Sequence, residues 1–119
     1  MRLGALFDQN RGRCVVRTVW KAGNAWERMR GLLGRARLGD SEALLLEPCS
    51  SVHCMGMRYP LDLIYIDRQG RVCKLVYGLK PWRFSASLTA HATLELAEGV
   101  LAATGIKLGD VVAWQEGAA

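Results

Sequence analysis

Apolar residues come in short bursts along this chain of 119 residues. Most bursts are about four to seven residues long and are bounded by polar or glycine-containing turns, the pattern of strands rather than long helices. Residues 14–20 are dense in β-branched side chains and are predicted to pair with residues 3–7 across a polar turn at 8–13, an opening hairpin. Residues 43–47 predict a buried strand that Pro48 ends, because proline cannot donate to the next ladder bond. The runs at 61–67 and 72–77 flank Arg68-Gln69-Gly70, a short hairpin loop with glycine available for positive φ. Residues 92–96 and 111–114 complete six or seven expected strands.

Helical spacing is confined to two places. Asn24 and Glu27 match a capping box, and Trp26, Met29, Leu32 and Leu33 then share a face until Gly34; a second short helix is expected near residues 98–104, closed by Gly105. Short strands in this number bury their apolar face best by curling. The expected fold is therefore α+β, mainly β: a small barrel-like antiparallel domain with two short helices, a single domain over residues 1–119. A sandwich is the alternative architecture.

Composition narrows the class further. Half the residues are hydrophobic and 23% are charged, spread throughout, which excludes disorder. No apolar run approaches the roughly 20 residues of a membrane helix, and the first eight residues lack a secretory apolar core, so the expectation is a cytoplasmic chain with no membrane partner. Four cysteines without a C-x-x-C pair predict reduced thiols and no structural zinc centre, and neither metal nor cofactor is expected. The net charge of +5 is concentrated in residues 1–39, which hold nine Lys and Arg against Asp8 and Glu27. Such asymmetry favours an acidic partner and makes nucleic-acid binding through this Arg-rich third, with Arg28, Arg30 and Arg35 displayed together, one functional reading.

Residues 48–62 join two predicted strands and hold the densest reactive chemistry. Cys49, His53 and Cys54 are three ligand types, yet adjacent residues point apart, so a tetrahedral metal site does not follow. A hydrolase would use Asp62 with His53 or a Cys54 thiolate, although no recognised catalytic spacing joins them. Asp62 alternates with Ile64 and Ile66 and so shares their face. A carboxylate there must be satisfied, and donors are expected from the main chain of residues 54–59; Asp62→Ala should then cost roughly 1–3 kcal/mol and His53→Ala less. Trp82, between Lys80 and Arg83, offers either a stacking face or a plug for one end of the barrel, and the plug is favoured because no second exposed aromatic continues a platform. Cys14 and Cys73, inside strand patterns, are expected to act as small buried hydrophobes.

Several blocks together resemble the domain of unknown function 192 family: RGLLGR at 30–35, SVHCMGM at 51–57, PLDLIYID at 60–67 with GRV at 70–72, PWR at 81–83, LELAEG at 94–99 and TGIKLGD at 104–110. The resemblance runs from about residue 16 to residue 114. It implies a compact β-rich fold and no assigned biochemical role. His53, Met57, Asp62, Trp82, Glu95, Gly99, Gly109 and Asp110 are the matching positions; Cys54 stands where related sequences often have threonine. Gly99, Gly109 and Asp110 are explained as turn residues. The resulting expectation is a non-enzymatic binding or accessory domain for a small anionic ligand or protein partner, with His53, Cys54, Met57, Asp62 and Trp82 as candidate site residues.

Overall fold

The computed structural model describes residues 2–22, 38–53 and 59–117. Among these residues there are nine strands and one helix. The helix expected from Asn24 to Gly34, with Arg28, Arg30 and Arg35, lies outside them.

The opening hairpin forms as expected, with β1 (Arg2–Asp8) antiparallel to β2 (Arg13–Ala22). The next pairing departs from the antiparallel expectation: β3 (Glu42–Leu46) runs parallel to β2, from Thr18 opposite Glu42 to Ala22 opposite Leu46. A parallel neighbour needs a long crossover, and residues 23–41 between the two strands supply the length. On the far side of β3 follow β8 (Ala92–Ala97), β5 (Leu61–Ile66) and β6 (Val72–Leu79), all antiparallel. Strand β9 (Val112–Glu116) pairs with the outer edge of β1, giving the order β6-β5-β8-β3-β2-β1-β9. A separate two-stranded ribbon joins β4 (Ser51–His53) to β7 (Phe84–Ala86).

This seven-stranded sheet curls into a half barrel rather than closing along its length. Its two edge strands meet at one end only, through a bridge between Arg71 and Val111. There the Val72 N–H donates to Asp110 O (2.8 Å) and the Val112 N–H to Gly70 O (2.8 Å). The interior is filled by Leu6, Val19, Leu45, Ile64, Leu94 and Leu96, and by Leu101 of α1 (Val100–Thr104), which packs on β5 and β8. Every residue of β5 and β8 is buried, which is why both read as largely apolar runs, interrupted only by Asp62, Thr93 and Glu95.

Trp114 shows how closely the strands approach. Its indole Nε1–H crosses β1 to donate to Val19 O (3.1 Å), and the Arg2 guanidinium and Lys21 ammonium lie 5.5 and 5.0 Å from its ring centroid. Gly4 permits this crossing, because a Cβ there would lie 2.7 Å from Trp114 Cε2. Gly4→Ala is expected to press first on the Gln115 carbonyl of β9 and to push the indole away as well, and to cost about 1–3 kcal/mol by overpacking. Urea denaturation together with the exchange rate of the Trp114 indole proton checks this; wild-type stability with a protected indole proton would contradict it.

Candidate functional site

Asp62 occupies the second position of β5, where the ladder to β6 slips. Leu61 pairs with Leu79 and Leu63 with Val76, so Tyr77 and Gly78 together stand opposite Asp62 alone. This is a bulge with a left-handed glycine, Gly78 at φ 66. The Gly78 N–H turns out of the ladder and donates to Asp62 Oδ1 (2.8 Å). Oδ2 accepts from the Gly99 N–H (2.9 Å) and the Leu101 N–H (3.1 Å), at the start of α1. A helix start leaves several N–H groups without partners, and Gly99 has no side chain with which to cap them. Asp62 is the missing cap, supplied from a neighbouring strand.

The carboxylate is 1% exposed, so its predicted burial and main-chain bonding hold. The donors are not those expected: they come from the β6 bulge and the turn into α1 rather than from residues 54–59. The sheet order explains the difference, because β5 lies between β6 and β8 and its first residues meet the ends of both. Three of the carboxylate's roughly four acceptor sites are thus taken up by main-chain N–H groups, at a residue closed off from solvent.

The other candidates separate. The main chain of His53 lies in β4 opposite Phe84 of β7, while Cys54 and Met57 lie outside the described residues. Trp82 does not plug the barrel; it is 69% exposed. Its turn explains the direction. The Arg83 N–H donates to Lys80 O (3.2 Å), Pro81 takes the first central position and Trp82 the second at φ 65, the arrangement of a type II turn with tryptophan where glycine is usual. The barrel interior is filled instead by α1 and by Ile106. Phe84 and Tyr77 are also exposed.

Glu95 was visible in the sequence only as a position matching the family pattern. It lies mid-strand in β8 between Leu44 of β3 and Leu63 of β5. The residue is 4% exposed, and Oε2 has no hydrogen-bond partner among the described residues. Burial pushes its carboxyl up to about 7, because desolvation disfavours the charged form. Thr93, two residues earlier and so on the same face, donates from Oγ1 to Cys49 O (2.9 Å). Glu95 therefore projects from the face of the sheet that the segment entering β4 crosses.

Where β1 meets β9, Arg11 Nη1 bridges Asp8 Oδ2 (2.7 Å) and Asp110 Oδ2 (3.0 Å). The bond to Arg11 holds the Asp8 carboxyl below its usual range; Asp110 is held low by the Lys107 N–H and then by Arg11. Asp110 thus ties its own turn, as expected, and pins the barrel end as well. Of the five described cations in the first third, Arg2, Arg11, Arg13 and Lys21 are turned onto acidic side chains. Cys14, Cys49 and Cys73 are free thiols, and Cys14 is exposed rather than buried. No three His, Cys, Asp or Glu side chains among the described residues gather to hold a metal ion, and no described helix is long and apolar enough to cross a membrane.

No curated protein matches the chain. Two solved structures share its fold. A protein of unknown function from Novosphingobium aromaticivorans DSM 12444 is 25% identical with a TM-score of 0.75, over 94% of this chain and 84% of that one. A protein proposed as a transcription regulator from Sinorhizobium meliloti 1021 is 21% identical with a TM-score of 0.79, over 95% of this chain and 92% of that one. The model of DUF192, a family of uncharacterised proteins, matches residues 7–114, and the chain belongs to that family.

Proposed function

We propose that this chain is a non-enzymatic binding or accessory domain, and that it docks an acidic protein segment on the surface around the β4–β7 ribbon. The observation that carries this reading is Trp82, a large apolar side chain exposed on a turn whose φ of 65 strains any residue but glycine. A bulky residue in the left-handed region costs on the order of 1 kcal/mol, and such strain gathers at sites of recognition. Phe84, two residues on in β7, is exposed as well. Lys80 and Arg83 flank Trp82 in sequence and are both exposed, which suits a negatively charged partner. Exposed tryptophan beside arginine is the composition of interface hot spots.

Trp82→Gly separates recognition from packing. Glycine is at ease at φ 65, so the variant should melt at or above the wild-type temperature. In panning of a displayed peptide library, wild-type protein should enrich acidic, aromatic-containing sequences and Trp82→Gly should not. A destabilised variant would mean that Trp82 serves the fold, and equal enrichment by both proteins would remove it from the docking surface.

A further inference from the structure

The end of the half barrel at which β6 and β9 meet encloses a groove of about 190 Å³, with none of its lining residues in the β4–β7 ribbon. Its floor is apolar barrel interior, including Leu45, Ile66 and Val112. Charge is confined to the rim. Lys21 Nζ lies 2.8 Å from Glu47 Oε1, and His91 Nε2 lies 3.8 Å from Glu47 Oε2. Asp67 Oδ1 is occupied by the N–H groups of Gln69 and Arg71. Arg68, also on the rim, is exposed and makes no ion pair among the described residues.

Size and charge restrict the occupant. Sites for drug-sized ligands run to about 300–1,000 Å³, so this groove suits a molecule smaller than a nucleotide. The rim holds two cations, Lys21 and Arg68, and two carboxylates, Glu47 and Asp67, so a simple anion seated on Arg68 would leave an excess negative charge. A simple cation would meet both Lys21 and Arg68. A molecule carrying both charges meets Arg68 and Glu47 together and leaves the rim balanced, while an apolar side chain removes the floor from water. We propose that this groove binds a small zwitterion with an apolar side chain, the chemistry of a free α-amino acid such as leucine. Its carboxylate faces Arg68, its ammonium faces Glu47, and its side chain lies on Leu45, Ile66 and Val112.

Methyl NMR titration of the whole chain tests the proposal with three probes: L-leucine, 4-methylpentanoate, which lacks the ammonium, and 3-methylbutylamine, which lacks the carboxylate. Leucine should shift the Leu45, Ile66 and Val112 methyl signals saturably. Each single-charge probe should bind about tenfold more weakly, and Arg68→Ala should weaken leucine by a similar factor. Ala92→Leu, which fills the floor, should abolish the shifts. Equal binding of 4-methylpentanoate would make this an anion site and overturn the zwitterion. Silence of all three methyl groups at about 10 mM leucine would remove the site, as would leucine binding untouched by Arg68→Ala. Arg68 lies in an exposed turn, so its variant decides the matter whatever Ala92→Leu does to folding.

Discussion

Raising the pH from 4.5 to 7 is expected to cost this protein about 3 kcal/mol of stability, through Glu95 alone. In the unfolded chain Glu95 ionises at its ordinary 4.5, whereas in the fold burial pushes it up to about 7. Between these values only the unfolded state gains charge, so it is progressively favoured; above about 7 the folded state ionises as well and the loss stops growing. At about 1.4 kcal/mol for each tenfold change in proton affinity, the gap of 4.5 to about 7 gives the figure stated. For a chain this size that corresponds to a melting shift on the order of 10 °C. Asp8 and Asp110 act at the other end of the scale. Their lowered values contribute stability that is complete above their ordinary 3.8 and is lost as pH falls through the folded values. Stability should therefore peak near pH 5, and urea midpoints measured from pH 3 to pH 8 should trace that maximum. Glu95→Gln should flatten the limb above the peak while leaving the acid limb in place. A wild-type protein equally stable at pH 5 and pH 8, or a variant retaining the full slope, would show that Glu95 finds a partner when it ionises.

Asp62→Ala is expected to cost about 3–5 kcal/mol, above the range anticipated from the sequence. Three N–H groups lose their acceptor at once, that of Leu101 buried and those of Gly78 and Gly99 part-buried, and a packed carboxylate is removed with them. Asp62→Asn should fall between wild type and alanine. Its single oxygen can still accept from the α1 turn, but its amide then presents N–H toward the Gly78 N–H. Hydrogen exchange gives a readout with spatial meaning: in Asp62→Ala the Gly78 and Leu101 amides should lose protection while those of β1 and β2 keep theirs. An Asp62→Ala protein melting with wild type, yet unable to bind a partner, would transfer this carboxylate from the frame to the recognition surface.

The local elements were legible where the chain announces them within a few residues. LDLIYID and VCKLVY on either side of Arg68-Gln69-Gly70 specify the β5–β6 hairpin by themselves, because a tight turn needs only local chemistry. The three-residue strands β4 and β7 are too short for any periodicity to declare. The parallel pairing of β2 with β3 is decided across residues 23–41 and has no local signature. Asp62 divides along the same line. Its face follows from alternation with Ile64 and Ile66, but its donors lie 16, 37 and 39 residues further on, brought together only by strand order. The turn at Trp82 has a local sign, a proline in the first central position. Glu95 gave the opposite kind of signal: an acid inside the apolar run of β8 looks like the outward side of a strand until both faces prove to be covered.

The seam between β1 and β9 has a consequence for the order of events during synthesis. Residues Gly4 to Asp8 find their partners in Val112 to Glu116, about 100 residues later in the chain. At ribosomal rates of about 5–20 residues per second, the outer edge of β1 waits on the order of 5–20 seconds after the β1–β2 hairpin can form. During that interval it is an open template for any passing strand. Its first guard is Arg2, a charge at the mouth of that edge, which is matched only when Glu116 arrives to take it (2.6 Å). The nascent chain must therefore stay soluble by means other than its finished fold until β9 has been added.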